Sequence, residues 1–246
     1  DKHGRAVRAG KLKFSGDRRR VIAATDAYVG IWDAATGKLL TKLPIPKIEM
    51  NDTVRILTCT PDSSVIVGSL ETNYERMTQV YDAHTVVWDG TTGKMLRTLT
   101  HKRQNHFIDM SLSSDGKRLA TTNGGGPTVW DTSTGQQLLH VPNDNKGRKH
   151  SEPDVSSQYT SHVWSVQFSP DGKQLAMGDI LGVKLLDATS GKLLQQLEGP
   201  YRYSSSVSPG LVFSKDGQWL ARLGTQEKAI SRNALASGSD TRTTTN

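Results

Sequence analysis

The chain has 246 residues with 31 Lys and Arg against 24 Asp and Glu, a formal net charge of +7, and it is 35% hydrophobic but only 6% aromatic. A single cysteine, Cys59, rules out an intrachain disulfide, the main sequence sign of secretion. No apolar run approaches the 18 residues that a membrane-spanning helix needs. A cytoplasmic location is the default expectation, with no signal peptide visible and a processed or exported form left open by a first residue that is Asp1.

In chain order, residues 1–10 form a basic segment containing Lys2, Arg5 and Arg8, and the basic run continues through Lys11, Lys13 and Arg18 to Arg20. From Lys11 onward the sequence is a repeat with two markers in fixed phase. The first is Phe-Ser-x-Asp-Gly or a worn copy: Phe14 to Asp17, Cys59 to Asp62, Leu112 to Gly116, Phe168 to Gly172 and Phe213 to Gly217. The second is a Trp-Asp pair four residues before a glycine: Trp32-Asp33 with Gly37, Trp88-Asp89 with Gly93, and Trp130-Asp131 with Gly135. In the fourth copy leucine replaces tryptophan, giving Leu186-Asp187 with Gly191. Asp17 to Asp33, Asp115 to Asp131 and Asp171 to Asp187 are each 16 residues apart, while Asp62 to Asp89 is 27. Spacing this regular marks an internal repeat, which fixes architecture before any single residue is interpreted.

The fourth copy shows the physical content. Val163 to Ser169 is a β-prone run, and Pro170-Asp171-Gly172 is a tight turn in which proline presets φ, aspartate bonds its own backbone and glycine supplies positive φ. Lys173 to Met177, Gly182 to Asp187 and Lys192 to Leu197 supply three further strands, the last two joined by Ala188 to Gly191. Four short strands with turn signals every eight to twelve residues predict an all-β fold.

The stretch Phe168 to Ala176, the Trp-Asp pairs and the Thr-Gly-Lys turns resemble the WD40 repeat from Lys11 to about Gly224. The resemblance implies a β-propeller of four-stranded antiparallel blades, incomplete in this chain. Blades are expected at Lys11–Leu43, Thr53–Thr100, His106–Val141 and Val163–Glu198. A partial fifth is expected at Val207–Gly224, followed by a degenerate strand and a polar Ser/Thr-rich tail over 225–246. Where the fifth Trp-Asp belongs, the chain reads Ile230-Ser231-Arg232-Asn233. Three explanations of the blade count stay open: a segment of a longer propeller, a five-bladed ring, and completion by a second chain. The family's bonded network of His, Ser, Asp and Trp survives in fragments, as His162 with Asp179, Asp26 with Trp32 and Asn123 with Trp130.

Function is expected where the repeat is interrupted, because loops on a rigid scaffold carry binding. Blade two has an 11-residue insertion at about Glu71 to Asp82, with Tyr74, Arg76 and Tyr81. A longer insertion runs from Asn143 to Ser161, just before His162, and Gly199 to Tyr203 precedes the fifth blade with Tyr201, Arg202 and Tyr203. Tyr and Arg are enriched at interface hot spots, so these residues are the candidate contacts for a protein partner. In the family such loops share one face of the disc.

No catalytic constellation, metal site or cofactor is expected. His101 and His106 are five apart, and Gly124 to Pro127 lacks the Lys-Ser/Thr of a phosphate loop. Cys59 stands where the repeat has phenylalanine, so a packing role is expected of it. The Asp residues of the repeat, Asp33, Asp89, Asp131 and Asp187 among them, read as turn-formers, and Trp32, Trp88 and Trp130 as their structural partners. The basic clusters lack the interleaved aromatics of single-strand binders, which argues against nucleic acid. The expected function is a non-enzymatic protein-binding scaffold. Two alternatives are a quinoprotein-like dehydrogenase propeller, suggested by Asp33 to Lys38, and a purely structural subunit of a large assembly.

Overall fold

A computed structural model of the protein describes residues 12–25, 27–47, 53–71, 83–101, 109–123, 125–142, 163–179, 182–198, 210–222 and 229–232. They form five antiparallel sheets. The first holds β1 (Leu12–Phe14), β2 (Arg20–Ala24), β3 (Tyr28–Asp33) and β4 (Leu39–Pro44). The second holds β5 (Thr53–Cys59), β6 (Val65–Glu71), β7 (Ala83–Asp89) and β8 (Met95–His101). The third holds β9 (Asp109–Leu112), β10 (Arg118–Thr122), β11 (Pro127–Asp131) and β12 (Gln137–His140). The fourth holds β13 (Val163–Phe168), β14 (Gln174–Asp179), β15 (Gly182–Asp187) and β16 (Leu193–Glu198). The fifth has three strands, β17 (Leu211–Phe213), β18 (Trp219–Arg222) and β19 (Ala229–Arg232). Strands are neighbours in sequence order throughout, so every pairing is a hairpin step.

Two compact units divide the chain. One takes in residues 1–107, 115–117 and 132–135 and contains the first two sheets; the other takes in 108–114, 118–131 and 136–246 and contains the last three. Within each sheet burial falls from the middle strands to the fourth. Five of the seven residues of β7 are buried, whereas β4 alternates and buries only Leu43 fully. Sequence follows burial: central strands such as Val65–Glu71 are nearly continuous apolar runs, and fourth strands alternate.

The short turns are built identically. In the fourth sheet Ser169 Oγ donates to Asp171 Oδ1 at 2.6 Å and accepts from Gln174 N at 2.9 Å, while Asp171 also accepts from Lys173 N at 3.0 Å. Ser15 with Asp17, Thr60 with Asp62 and Ser214 with Asp216 repeat the arrangement. The residue after each aspartate is left-handed, at φ 71° for Gly116, 70° for Gly172 and 71° for Gly217. In the two worn copies Arg18 (φ 60°) and Ser63 (φ 59°) are forced into the same conformation.

The third and fourth strands carry a bulge at one fixed place. Trp32 pairs with Leu39 and Ile31 with Thr41, leaving Leu40 as an extra residue. The same step leaves out Leu96, Leu138 and Leu194 in the next three sheets. These four leucines are 45–53% exposed, because a bulged residue on an outer strand has no ladder position to hold its side chain inward.

Within each unit, sheets pack face to face through the strands nearest the start of each repeat. In the first unit Ile22, Ile31 and Leu43 of the first sheet pack on Leu57, Ile66 and Trp88 of the second, with Cys59 against them. Trp88 Nε1 donates to Pro44 O at 2.8 Å across this contact. In the second unit Ala120 and Val129 of the third sheet pack on Val166, Phe168 and Leu186 of the fourth. Arg118 spans the same contact: its guanidinium lies 5.2 Å from the Phe168 ring and donates to Gly172 O at 2.5 Å and Ala188 O at 3.4 Å. Along the inner strands Ser165 Oγ donates to Asp109 Oδ2 at 2.8 Å and accepts from Leu211 N at 3.3 Å, linking β9, β13 and β17.

Two stability measurements probe these turns and contacts. Replacing Arg18 by glycine removes left-handed strain of about 1–2 kcal/mol and increases unfolded-chain entropy by about 0.4–1 kcal/mol, so R18G raises Tm by roughly 2 °C in a thermal melt. Arg118→Lys destabilises by about 1–2 kcal/mol in denaturant unfolding, because a single ammonium cannot serve both carbonyls and cover the Phe168 ring.

Candidate functional site

Each four-stranded sheet has two unlike ends. One is closed by the Ser-x-Asp turn and the turn after Trp-Asp. In the second, Asp33 Oδ1 accepts from Thr36 N at 2.7 Å, Thr36 Oγ1 at 2.7 Å and Ala35 N at 3.1 Å. Asp187 does the same with Ser190 N, Ser190 Oγ and Thr189 N, and Asp89 with Thr91 N and Thr92 N. Asp131 closes its loop through the backbone, its N donating to Gln136 O at 2.9 Å. Bonds from Thr36, Thr92 and Ser190 hold the Asp33, Asp89 and Asp187 carboxyls below the ordinary carboxylate value. These aspartates are charged turn caps, each with its Oδ1 engaged by two or three donors of its own turn.

The tryptophans before them serve the sheets differently. Trp88 is fully buried between sheets, and Trp130 donates from Nε1 to Thr121 Oγ1 at 2.8 Å on the neighbouring strand. Trp32 is half-buried and tilted against Tyr28 at 6.4 Å between ring centroids. Leu186, in the tryptophan position of the fourth sheet, is buried in the contact with the third. Asn123 accepts from Gly125 N at 3.3 Å in its own turn. Asp179 lies 3.7 Å from Lys184 Nζ. Asp26 and His162 lie outside the described residues.

The opposite end of each sheet carries the variable connections. In the second sheet Thr53 pairs with Glu71, Leu70 with His84 and Ala83 with His101, so segments 48–52, 72–82 and 102–108 all attach at one end. In the fourth sheet Val163 pairs with Asp179, Asp179 with Gly182 and Gly182 with Glu198, which brings the attachments of 143–162, 180–181 and 199–209 to one end. The sequence candidates Tyr74, Arg76, Tyr81, His162, Tyr201, Arg202 and Tyr203 belong to these segments and lie outside the described residues.

Two residues at these ends escaped the sequence reading. In β5 the register skips from Val54 to Ile56, leaving Arg55 bulged and exposed. In β13 it skips from Val163 to Ser165, leaving Trp164 bulged and half-buried. Bulges re-aim side chains at strand ends, and Arg and Trp lead the residues that dominate interfaces. Composition could not single them out, because a bulge is a property of pairing. Around Trp164 the end of the fourth sheet is polar, with Asp179 beside Lys184 and Arg222 donating to Asp179 O at 2.8 Å.

At the matching end of the second sheet, His101 is fully buried, 2.9 Å from Thr85 Oγ1 through Nε2. Burial, with a smaller contribution from His84, pushes its pKa down to about 4. Cys59 is half-buried against the core of the first unit, and burial pushes its thiol up, which fits packing. Among the described residues no three His, Cys, Asp or Glu side chains come together as a metal site, and no helix is long and apolar enough to cross a membrane.

Repeated four-stranded antiparallel sheets, packed through their first strands and closed by Asp-capped turns, define β-propeller blades. Residues 154–180 match the WD40 family (WD domain, G-beta repeat). Among solved structures the chain is similar to one in "Crystal Structure of Mitotic Checkpoint Complex", with a TM-score of 0.64 and 17% identity over 93% of this chain. It spans 61% of that chain's length. A search of curated proteins found no similar sequence. The family match covers residues 154–180, and the sheets share the β-propeller blade fold.

His101 makes the fold pH-sensitive with a defined sign. It is neutral when folded near pH 5 but protonated when unfolded, so stability falls as pH drops from 6.5 toward about 4. The loss is about 3 kcal/mol at its full extent, and His101→Gln, which keeps a polar partner for Thr85, flattens the Tm profile across that window. The turn aspartates add a separate loss below their ordinary value of 3.8, which H101Q leaves intact.

Proposed function

We propose that this protein is a non-enzymatic protein-binding scaffold that engages its partner through the variable ends of its blades. One observation carries the reading: the second and fourth sheets each set a short-turn end, with an aspartate Oδ1 committed to the turn itself, against an end where long connections attach and where Arg55 or Trp164 bulges from the ladder. In sequence, Tyr74, Arg76 and Tyr81 belong to the connection between β6 and β7, His162 to the one before β13, and Tyr201, Arg202 and Tyr203 to the one after β16. Aromatic and arginine anchors on a rigid support bind with little loss of conformational entropy. The segment Asp33 to Lys38 that suggested a dehydrogenase forms the same Asp-capped turn as its counterparts in the other sheets, so nothing local to it favours cofactor docking.

The test compares the two ends. Affinity-captured partners are quantified for the wild type, for R55A and W164A, for the Tyr201→Ala, Tyr203→Ala double variant, and for Lys38→Ala and Lys94→Ala at the short-turn ends. Loss at the variable ends of roughly tenfold, with the lysine variants unchanged, is expected for hot-spot residues. Equal loss at both ends, or none at the variable ends, refutes the assignment.

A further inference from the structure

Among the described residues the fourth strand of each four-stranded sheet ends its ladder, and on this edge large apolar side chains stand in solvent. Leu40 of β4 is 49% exposed, and Met95 and Leu96 of β8 are 43% and 51% exposed. The exposure belongs to the edge and not to the way sheets stack. The fourth sheet is packed on both faces, by Ala120 and Val129 on one side and by Leu211 on the other. Even so, Leu193 and Leu194 at its edge are 47% and 45% exposed.

In the first unit these edge residues stand among cations. Lys38 precedes β4, Lys94 and Arg97 bracket Met95 and Leu96, and all three cations are exposed. Neither β4 nor β8 contains Asp or Glu, and the carboxylates closest in sequence, Asp33 and Asp89, accept from amides of their own turns. The two edges are neighbours. Gly93, next to Lys94, lies so close to β4 that a Cβ there would come 2.6 Å from Thr41 Cγ2, which brings the start of β8 alongside Leu40 and Thr41. The third sheet supplies a contrast: Leu138 is 53% exposed in the same place, but Gln136 and Gln137 precede it where the other sheets have a lysine and an apolar residue.

We propose that this edge of the first unit, Leu40, Met95 and Leu96 framed by Lys38, Lys94 and Arg97, docks on an anionic lipid surface. Three features select that occupant. Exposed cations on strands without acidic residues complement negatively charged headgroups. The apolar side chains sit on strand edges, where each enters the headgroup region singly, whereas a helical peptide needs a groove. The bulges at Leu40 and Leu96 interrupt the edge ladder, which obstructs pairing with an added strand. The site lies at the short-turn ends of the sheets, so it stands or falls independently of the scaffold reading at the variable ends.

The test is co-sedimentation of the full chain with vesicles of phosphatidylcholine alone and of phosphatidylcholine with an equal part of phosphatidylserine. The wild type is expected to bind the mixed vesicles, less tightly as salt is added, and not to bind the neutral ones. The triple variants K38E/K94E/R97E and L40S/M95S/L96S are each expected to bind roughly tenfold more weakly, and L138S to match the wild type. All seven positions are exposed, so melting temperatures near that of the wild type are expected and verify that each variant is folded. Absence of wild-type binding overturns the proposal. Binding retained by either triple variant does so too, because it would assign the attraction to other residues. An equal loss in L138S, or loss of a captured protein partner while vesicle binding persists, also overturns it.

Discussion

The hydroxyl after the first strand of each blade governs the hairpin register on which the rest of the blade depends. In Ser169 one oxygen donates to Asp171 and accepts from Gln174 N, so a single side chain ties the turn's carboxylate to the first residue of the second strand. That bond sets the register of the hairpin, and a one-residue slip would turn every side chain of β14 to the other face. Ser15, Thr60 and Ser214 hold their hairpins the same way, and Ser113 accepts from Arg118 N at 2.9 Å. These donors stabilise the carboxylate in its charged form, so the turn keeps its cap at neutral pH.

A register fixed at one end leaves the other end free to vary. The short turns satisfy their own backbone groups, so insertions enter only where hairpins are not locked by a Ser-Asp or Trp-Asp pair. The extra residues at Arg55 and Trp164 occur at that free end, where the bulged strand can bend without disturbing the locked turn. Ile56 N donates to Ser69 Oγ at 3.2 Å beside the first of these bulges, which shows how side chains repair the ladder there.

Much of this was legible in the sequence. Asp33, Asp89 and Asp187 cap the turns that run to the glycines four residues on, Gly37, Gly93 and Gly191, and Cys59 packs in the register position of Phe168. The leucines Leu40, Leu96, Leu138 and Leu194 gave no such signal: a Leu in an alternating strand looks inward-facing until the bulge at the preceding pair is known. Arg18 and Ser63 were visible as worn glycines, yet only their φ values show that the turn type survived the loss. Ser231-Arg232 holds the Trp-Asp register in β19, so the fifth copy keeps the pairing of the repeat after losing its motif. Strand pairing tolerates that loss because ladder bonds are made by backbone, whereas the cap needs a carboxylate.

Phe168 shows why the repeat specifies an interface as well as a fold. Burial of a phenylalanine or leucine side chain contributes about 1.5–3 kcal/mol, a contribution that Phe168 makes inside the second unit beneath Arg118. In the first sheet the Ser15 to Asp17 turn and the Val21 to Phe14 pairing fix which way Phe14 points, so local rearrangement cannot redirect it.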